Sequence, residues 1–448
     1  MTIARTICLG FFAIITLGAF LLFLPISTTS GTWNDPIIAL FTSTSAVCVT
    51  GLAVVDTGTY FSFWGQLFLA LLVQVGGLGY MTVSTFLLLL LGRRFDIQQK
   101  LAIQESFDRP FFLNSKNLIK SILGLTLIFE ITGAILLTYE FSHQYSLRES
   151  LWMGIFHSIS AWNNAGFGLL KDNFMSYQSS IIINLVIPLL IIFGGIGYQV
   201  ILELYIRLRE IAEGRKWLTQ FSLNFRVVTS TTIFLLTLGT IAFFLTEIHN
   251  PDTIKNIPLL DQIMAAWFQS VTTRTAGFNS IDIGKMTTTG LFITIALMFI
   301  GASPSGTGGG IKTTTIRILT QCTQSVLLGK EEIDFYGRKV PMTVILKAIG
   351  VLVGSGVTVI ISTILVSITD PEYEFIHLFF EVVSAFGTVG LSMGITGTLS
   401  TAGKLIIITT MYIGRVGVLL LMAAILGDPR PNKVRYPEEN LLVGDSDC

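Results

Sequence analysis

This 448-residue sequence is short of charge: Asp, Glu, Lys and Arg together make up 12% of it, about half the share of an average soluble domain. Water is therefore not the solvent for most of its surface. Cysteine is sparser still, at four residues. Cys8, Cys48, Cys322 and Cys448 form no CxxC pair, which excludes a disulfide framework and a zinc site, and the four histidines are dispersed. A net charge of zero leaves no basic footprint for a nucleic-acid partner.

What is abundant is apolar sequence, 51% of the residues. Runs free of charge extend over Thr57 to Gly92, Asn173 to Leu202, Val227 to Thr246, Met286 to Ile311 and Ala348 to Thr369. Each reaches the ~20 residues that a helix needs to cross a bilayer core. The first apolar stretch, Ile7 to Pro25, is too long for a signal-peptide core and lacks a small-x-small cleavage site, so it reads as a retained helix.

A repeat organises these runs. Four polar, glycine-bearing segments recur: FTSTSAVCVTGL at Phe41 to Leu52, FHSISAWNNAGF at Phe156 to Phe167, FQSVTTRTAGF at Phe268 to Phe278 and FEVVSAFGTVGL at Phe380 to Leu391. Their glycines, Gly51, Gly166, Gly277 and Gly390, are 115, 111 and 113 residues apart. A glycine in any one loop would read as a turn or packing residue; four in register point to a shared role. A second mark lies 24 to 28 residues past each: GGLG from Gly76, GGIG from Gly194, GASPSGTGGG from Gly301 and GRVG from Gly414. The unit is an apolar helix, an amphipathic half-helix, a glycine loop, and an apolar helix with an internal glycine cluster.

The expected architecture is an all-α polytopic membrane protein with four helix, pore-loop, helix repeats around a central pore of pseudo-fourfold symmetry. Eight crossings are expected, near Ile7 to Pro25, Phe63 to Leu91, Leu118 to Tyr139, Ile181 to Ile206, Val227 to Thr246, Thr289 to Leu319, Ile345 to Ser367 and Gly403 to Leu426. The repeats divide as 1–92, 93–212, 213–335 and 336–427, with a cytoplasmic tail at 428–448. The glycine loops, too polar for lipid and too short to cross, belong around the axis, because irregular backbone at membrane depth must line water or be buried in protein.

With both termini cytoplasmic, the inside segments hold 21 of the 28 Lys and Arg residues, including Arg93, Arg94, Lys100, Arg109, Arg207, Arg209, Arg215, Lys216, Arg226, Arg338, Lys339 and Lys347. The outside holds five, Arg148, Lys171, Lys255, Lys285 and Lys404. That asymmetry fits the positive-inside rule.

Backbone carbonyls aimed at a shared axis supply oxygen ligands to a dehydrated monovalent cation without fixed charge, and glycine permits the dihedrals that aim them. The candidate ligands are Val49, Thr50 and Gly51; Asn164, Ala165 and Gly166; Thr275, Ala276 and Gly277; Thr388, Val389 and Gly390. Residues 46–52, 161–167, 272–278 and 385–391 contain no Asp or Glu, so monovalent selectivity is expected rather than the carboxylate rings of divalent pores.

These four loops, each with one filter glycine, together with the glycine-rich break at Gly301 to Gly310, resemble the Trk/Ktr/HKT superfamily of potassium transporters over nearly the whole chain. Eight spans without an extra N-terminal helical pair look most like the Ktr membrane subunit rather than the longer Trk form. The resemblance implies potassium as the transported ion, since plant HKT members that favour sodium carry Ser in the first loop, where this chain has Gly51. Sodium as an activator, and a sodium-selective or symporting member, stay open. It further implies a homodimer with one pore per subunit, a cytosolic ring of nucleotide-binding RCK-type regulatory subunits, contact with membrane lipid, no bound cofactor, and a bacterial plasma membrane.

By the same resemblance, residues 301–313 form a flexible intramembrane gate beneath the filter. Its residues are Gly301, Ser303, Ser305, Gly306, Gly308, Gly309, Gly310 and Lys312. Five glycines and a proline preclude a continuous helix there. Ile311 separates Gly310 from Lys312, so the ending of a phosphate loop is absent.

Arg415 takes the place of the second glycine of the GG pair, an intramembrane charge that marks a functional site by default. It is expected to bond the gating loop, at carbonyls or at Ser303 or Ser305, and to raise a barrier to leak; a structural pairing with a carboxylate is the alternative. Arg274 is expected to brace the filter, with Glu381 as partner. Glu130 is expected to bond a neighbouring pore helix, and His157 to be a satisfied packing residue. An enzyme would need convergent His, Asp, Glu or Cys, which only Glu130, Glu381 and the isolated His157 approach, and an organic-solute transporter would usually show two inverted halves. The reading is a transporter, not an enzyme.

Overall fold

The structure, a computed structural model, describes residues 3–79, 115–214, 221–330 and 332–427. The end of the expected crossing from Phe63 to Leu91, the basic residues Arg93, Arg94, Lys100, Arg109, Arg215 and Lys216, and the tail 428–448 lie outside the described residues.

The chain is predominantly helical and runs four times through one order of elements. The leading helices are Ile3–Phe23, Ser115–Phe141, Leu223–Glu247 and Met342–Thr369. The short helices are Pro36–Val47, Leu147–Trp162, Leu259–Thr272 and Phe375–Gly387. The trailing helices are Phe63–Leu78, Ile181–Ile196, Thr288–Phe299 and Thr401–Val416. A two-residue hairpin, Asp334–Phe335 with Arg338–Lys339, spans the division drawn at 335/336 and is the one sheet among the described residues.

Among the described residues, the four leading helices are long and apolar enough to cross a membrane, and two more spans arise if each bent helix pair counts as one. The leading helices also leave large apolar side chains exposed, among them Phe12, Leu17, Ile128, Ile135, Phe234 and Ile360. Hydrocarbon is the medium that makes such a surface favourable.

The trailing helices depart from expectation. The runs Ile181 to Ile206 and Gly403 to Leu426 are not straight crossings with internal glycines. Gly197 and Gly417 sit at φ 96 and 89, and the chain bends there by 100° and 94° into Tyr198–Ala212 and Val418–Leu426. Left-handed backbone ends an α-helix, and glycine takes it without penalty. The expected crossing Thr289 to Leu319 is likewise broken, ending at Phe299 and resuming at Thr313–Leu327.

Packing closes a ring. Each trailing helix lies against the short helix of the next segment, and the trailing helix Thr401–Val416 lies against Pro36–Val47 of the first. Glycines bring each of three trailing helices onto the end of its own short helix as well: a Cβ on Gly414 would collide with Phe386 O, on Gly194 with Trp162 O and on Gly76 with Val47 O. The first glycine of each of these clusters is therefore the contact with the end of a short helix, and in the second and fourth segments the last, Gly197 and Gly417, is the bend.

Each short helix is also docked to its leading helix. Ser43 Oγ donates to Ile15 O at 2.7 Å, Ser158 Oγ to Glu130 O at 2.7 Å and Ser270 Oγ to Leu236 O at 2.8 Å. Gly18, Gly133 and Gly239, three residues beyond those carbonyls, lie against the same serines. In the fourth short helix Val382 stands at this place and forgoes the bond.

At the other end, carboxylates hold the starts of trailing helices. Ser180 Oγ donates to Glu140 at 2.6 Å, Thr287 Oγ1 to Glu247 at 2.7 Å, and Ser400 N and Oγ to Asp370 at 2.5 and 3.0 Å. The first segment uses backbone instead, Ser62 N donating to Ser27 O at 3.0 Å.

Candidate ion pathway

All four loops leave their short helices by the same backbone route. Two residues before each glycine, Val49, Asn164, Thr275 and Thr388 have φ of 58, 57, 65 and 50, and the glycines have φ of 92, 69, 75 and 92. Left-handed backbone is rare for a β-branched residue such as Val or Thr, and such positions store about 1–3 kcal/mol each.

The residue between has its amide drawn back to the short helix. Thr50 N donates to Ser45 O at 2.7 Å, Ala165 N to Ser160 O at 2.8 Å, Ala276 N to Thr272 O at 3.0 Å and Val389 N to Ser384 O at 2.8 Å. In two loops the glycine amide is used as well, Gly51 N and Gly390 N each donating to a serine hydroxyl at 3.1 Å. With the middle amide of every loop turned back to its short helix, carbonyls are the backbone groups aimed at the space between the loops.

The four glycines face one another in a closed circuit. A Cβ on Gly51 would stand 2.5 Å from Ala165 O, one on Gly166 2.9 Å from Ala276 O, one on Gly277 2.5 Å from Val389 O, and one on Gly390 would run into Thr50 O. Eleven of the twelve candidate ligands are buried, and Gly390 is half-buried. The short helices all end at this ring, so the partial negative charge of four helix C-termini favours a cation there. Outside it lies a cavity of about 340 Å³, with the four glycines in its wall and Asp56, Lys171, Asp172 and Ser392 around them.

On the inner side the loop 301–313 presses against the ring. Gly309 N donates to Thr388 Oγ1 at 3.0 Å, Thr307 Oγ1 to Asn164 Oδ1 at 3.2 Å, and a Cβ on Gly308 would collide with Thr275 Oγ1. The loop is folded on itself: Gly301 N donates to Ile311 O at 2.9 Å, Gly306 N to Ser303 O at 3.1 Å and Lys312 Nζ to Gly308 O at 2.8 Å. The second trailing helix holds it, Ser303 N and Thr307 N donating to Gly195 O and Gly194 O at 3.0 and 3.1 Å. Gly310 and Ser305 have φ of 66 and 61.

Arg415 donates to Thr307 O in this loop and to Gly76 O in the first trailing helix. The Ser303 hydroxyl is engaged with Thr313 Oγ1 at 2.8 Å. Among the described residues no carboxylate pairs with Arg415.

One expected pairing is corrected. Arg274 does not meet Glu381; it donates to Gly301 O at 3.3 Å, while Glu381 accepts from Ser392 Oγ at 2.8 Å and from Thr396 Oγ1. Glu381 lies six residues before the last residue of its helix, ~9 Å up the axis at 1.5 Å per residue. Arg274 lies past the end of its helix, so the two groups face opposite sides of the ring.

Glu130 accepts from Asn163 Nδ2 at 3.2 Å, next to the second short helix. His157 is fully satisfied, Nδ1 meeting Met153 O at 2.8 Å and Nε2 accepting from Leu169 N at 3.2 Å. Sequence reasoning missed the carboxylates Glu140, Glu247 and Asp370. Their signal was an acid within a few residues of the leading helix's end and a Ser or Thr opening the trailing helix.

A helical membrane protein whose four glycine loops close on one axis is of the cation-transporter class. The chain belongs to the TrkH family of cation transport proteins, which matches residues 11–433. It is 39% identical to the Ktr system potassium uptake protein B of Bacillus subtilis over 98% of this chain and 96% of that one. It is 38% identical to the protein of the same name from Vibrio alginolyticus, over 98% and 94%. To the potassium/sodium uptake protein NtpJ of Enterococcus hirae it is 34% identical over 98% and 97%. Its fold is similar to the crystal structure of the potassium transporter TrkH from Vibrio parahaemolyticus, with a TM-score of 0.71 at 18% identity, covering 94% of this chain and 84% of that one. These relatives are transport proteins, not enzymes.

Proposed function

We propose that this protein takes up potassium selectively across a bacterial plasma membrane through the ring of loop carbonyls. The observation that carries the reading is the closed circuit of Gly51, Gly166, Gly277 and Gly390, each abutting a carbonyl of the next loop. On this reading the four segments are repeats about one axis of pseudo-fourfold symmetry, with eight crossings and both termini cytoplasmic. The repeats are 1–92, 93–212, 213–335 and 336–427, followed by the tail 428–448.

The ligands are the carbonyls of Val49, Thr50, Gly51, Asn164, Ala165, Gly166, Thr275, Ala276, Gly277, Thr388, Val389 and Gly390. A neutral oxygen ring with no carboxylate within its loops suits a monovalent ion. Entry is driven by the membrane potential, at ~2.3 kcal/mol per charge per 100 mV.

The loop 301–313, held by Arg415 through Thr307 O, closes the path beneath the ring and opens by withdrawing from Thr275 and Thr388. The names of the relatives with a Ktr system support a multi-component assembly. Here that is a homodimer on a cytosolic ring of RCK-type subunits.

Transport of sodium as well as potassium, or activation by it, is the second reading, favoured by the 34% identity to a potassium/sodium uptake protein. Both are tested by potassium and sodium uptake into liposomes by the purified protein, alone and with Gly277→Ser. Potassium flux that loses its preference over sodium in the variant is expected. Potassium flux with unchanged selectivity in the variant overturns the filter assignment, and sodium uptake equal to potassium uptake by the unsubstituted protein selects the second reading.

A further inference from the structure

Four side chains occupy one register on the short helices, directly after the phenylalanine that opens each recurrent segment: Thr42, His157, Gln269 and Glu381. All are buried, at 2%, 0%, 0% and 0% exposure. They stand about two turns of helix above the ring, behind the segments that lead out of it.

Two of the four reach those segments. His157 Nε2 accepts from Leu169 N at 3.2 Å, three residues beyond Gly166. Because Nε2 accepts, the imidazole is neutral and carries its proton on Nδ1, which donates to Met153 O at 2.8 Å. Glu381 accepts from Ser392 Oγ at 2.8 Å, two residues beyond Gly390, and from Thr396 Oγ1 four residues further on.

The other two do not reach. Among the described residues, Thr42 Oγ1 and Gln269 Oε1 are buried without a partner, and Gln269 Nε2 meets only Met286 Sδ at 3.8 Å. Nearer the ring Ser45 holds the Gly51 amide, and the exit of the third loop is held by other groups, Thr272 Oγ1 donating to Phe278 O and Phe174 N to Asn279 O at 3.0 Å.

In the circuit of glycines, Gly166 and Gly390 are opposite corners, each adjacent to Gly277 and Gly51. We propose that His157 and Glu381 are positioning residues that tether the outer mouth of the filter on two opposite sides and so set how well it discriminates between cations of different size, a bond that Thr42 and Gln269 at the same register do not make. The proposal rests on the potassium-uptake reading. Neither group touches the ion; each acts through the segment it holds.

The test is potassium and sodium uptake, with KM and maximal rate for each ion, by liposomes carrying the unsubstituted protein, Glu381→Leu, Glu381→Gln, His157→Leu or Thr42→Val. Loss of a buried bond of this kind corresponds to a change of about tenfold, so the sodium-to-potassium ratio is expected to rise by about that factor in both Leu variants. Glu381→Gln keeps one acceptor and is expected to fall between. Thr42→Val removes a hydroxyl that holds nothing and leaves the ratio unchanged. Leu variants that transport potassium with an unchanged ratio, or an equal rise in Thr42→Val, overturn the proposal.

If the Leu variants do not fold, amide exchange over residues 391–396 in Glu381→Gln decides. Faster exchange than in the unsubstituted protein supports the tether, and equal exchange overturns it. Failure of the unsubstituted protein to move potassium at all would sink the uptake reading instead.

Discussion

At the ring the four segments are near-copies, whereas beneath it they part company. The left-handed residues Val49, Asn164, Thr275 and Thr388 and the glycines that follow them repeat within a few tens of degrees. On the inner side, one segment continues beyond the described residues at Gly79, one bends by 100° at Gly197, one breaks into the loop 301–313, and one places Arg415 at its bend. On the proposed reading, a cation at the centre needs oxygen from every side at one radius, so four loops must agree. A single obstruction then suffices to close the path, which leaves the other ends free to diverge.

Substitution can break or sharpen this contrast. The largest effect is expected from Ser placed in turn at Gly51, Gly166, Gly277 and Gly390. Each meets a carbonyl of the next loop, and each change is expected to lower potassium-over-sodium uptake by at least about tenfold. One tolerant corner would show that the loops are not equivalent.

Next is Arg415→Ala, which frees Thr307 O and Gly76 O. Charge-assisted bonds contribute roughly 1.5–3 kcal/mol, so potassium flux without a regulatory partner is expected to rise severalfold at unchanged selectivity. An unchanged flux would leave the loop as the closure without its arginine.

The smallest is Asp370→Ala, which removes the acceptor for Ser400 N and Oγ. A lost helix cap costs about 0.5–2 kcal/mol. Thermal unfolding in detergent is expected to fall accordingly while the ion ratio stays put. A changed ratio would mean that the outer scaffold tunes the filter.

Much of this was legible beforehand. The spacing of Gly51, Gly166, Gly277 and Gly390 located the loops, and the glycines of Gly301 to Gly310 located the break between the helices Thr288–Phe299 and Thr313–Leu327. The long apolar runs marked the leading helices well. They misled at Gly197 and Gly417, because hydropathy continues smoothly through Val418 to Leu426 while the backbone turns. The pairing of Arg274 with Glu381 failed for a related reason: nearness to a shared loop says nothing about which side of the ring a side chain faces. Ser43, Ser158 and Ser270 passed as generic polar residues, although Gly18, Gly133 and Gly239 recur ahead of them.

The sequence by itself determined a largely apolar membrane protein, a fourfold recurrence of glycine-bearing segments, and the lack of carboxylates around those glycines, because composition and period follow from the residues alone. Only the tertiary structure decided that the fourth trailing helix packs on the first short helix, that Arg415 reaches Thr307 and Gly76, and that His157 and Glu381 stand at opposite corners. Those are relations between residues far apart in the chain, 339 positions for Gly76 and Arg415. Period and composition carry local preference, and the closing of a ring is set by how all four units pack at once.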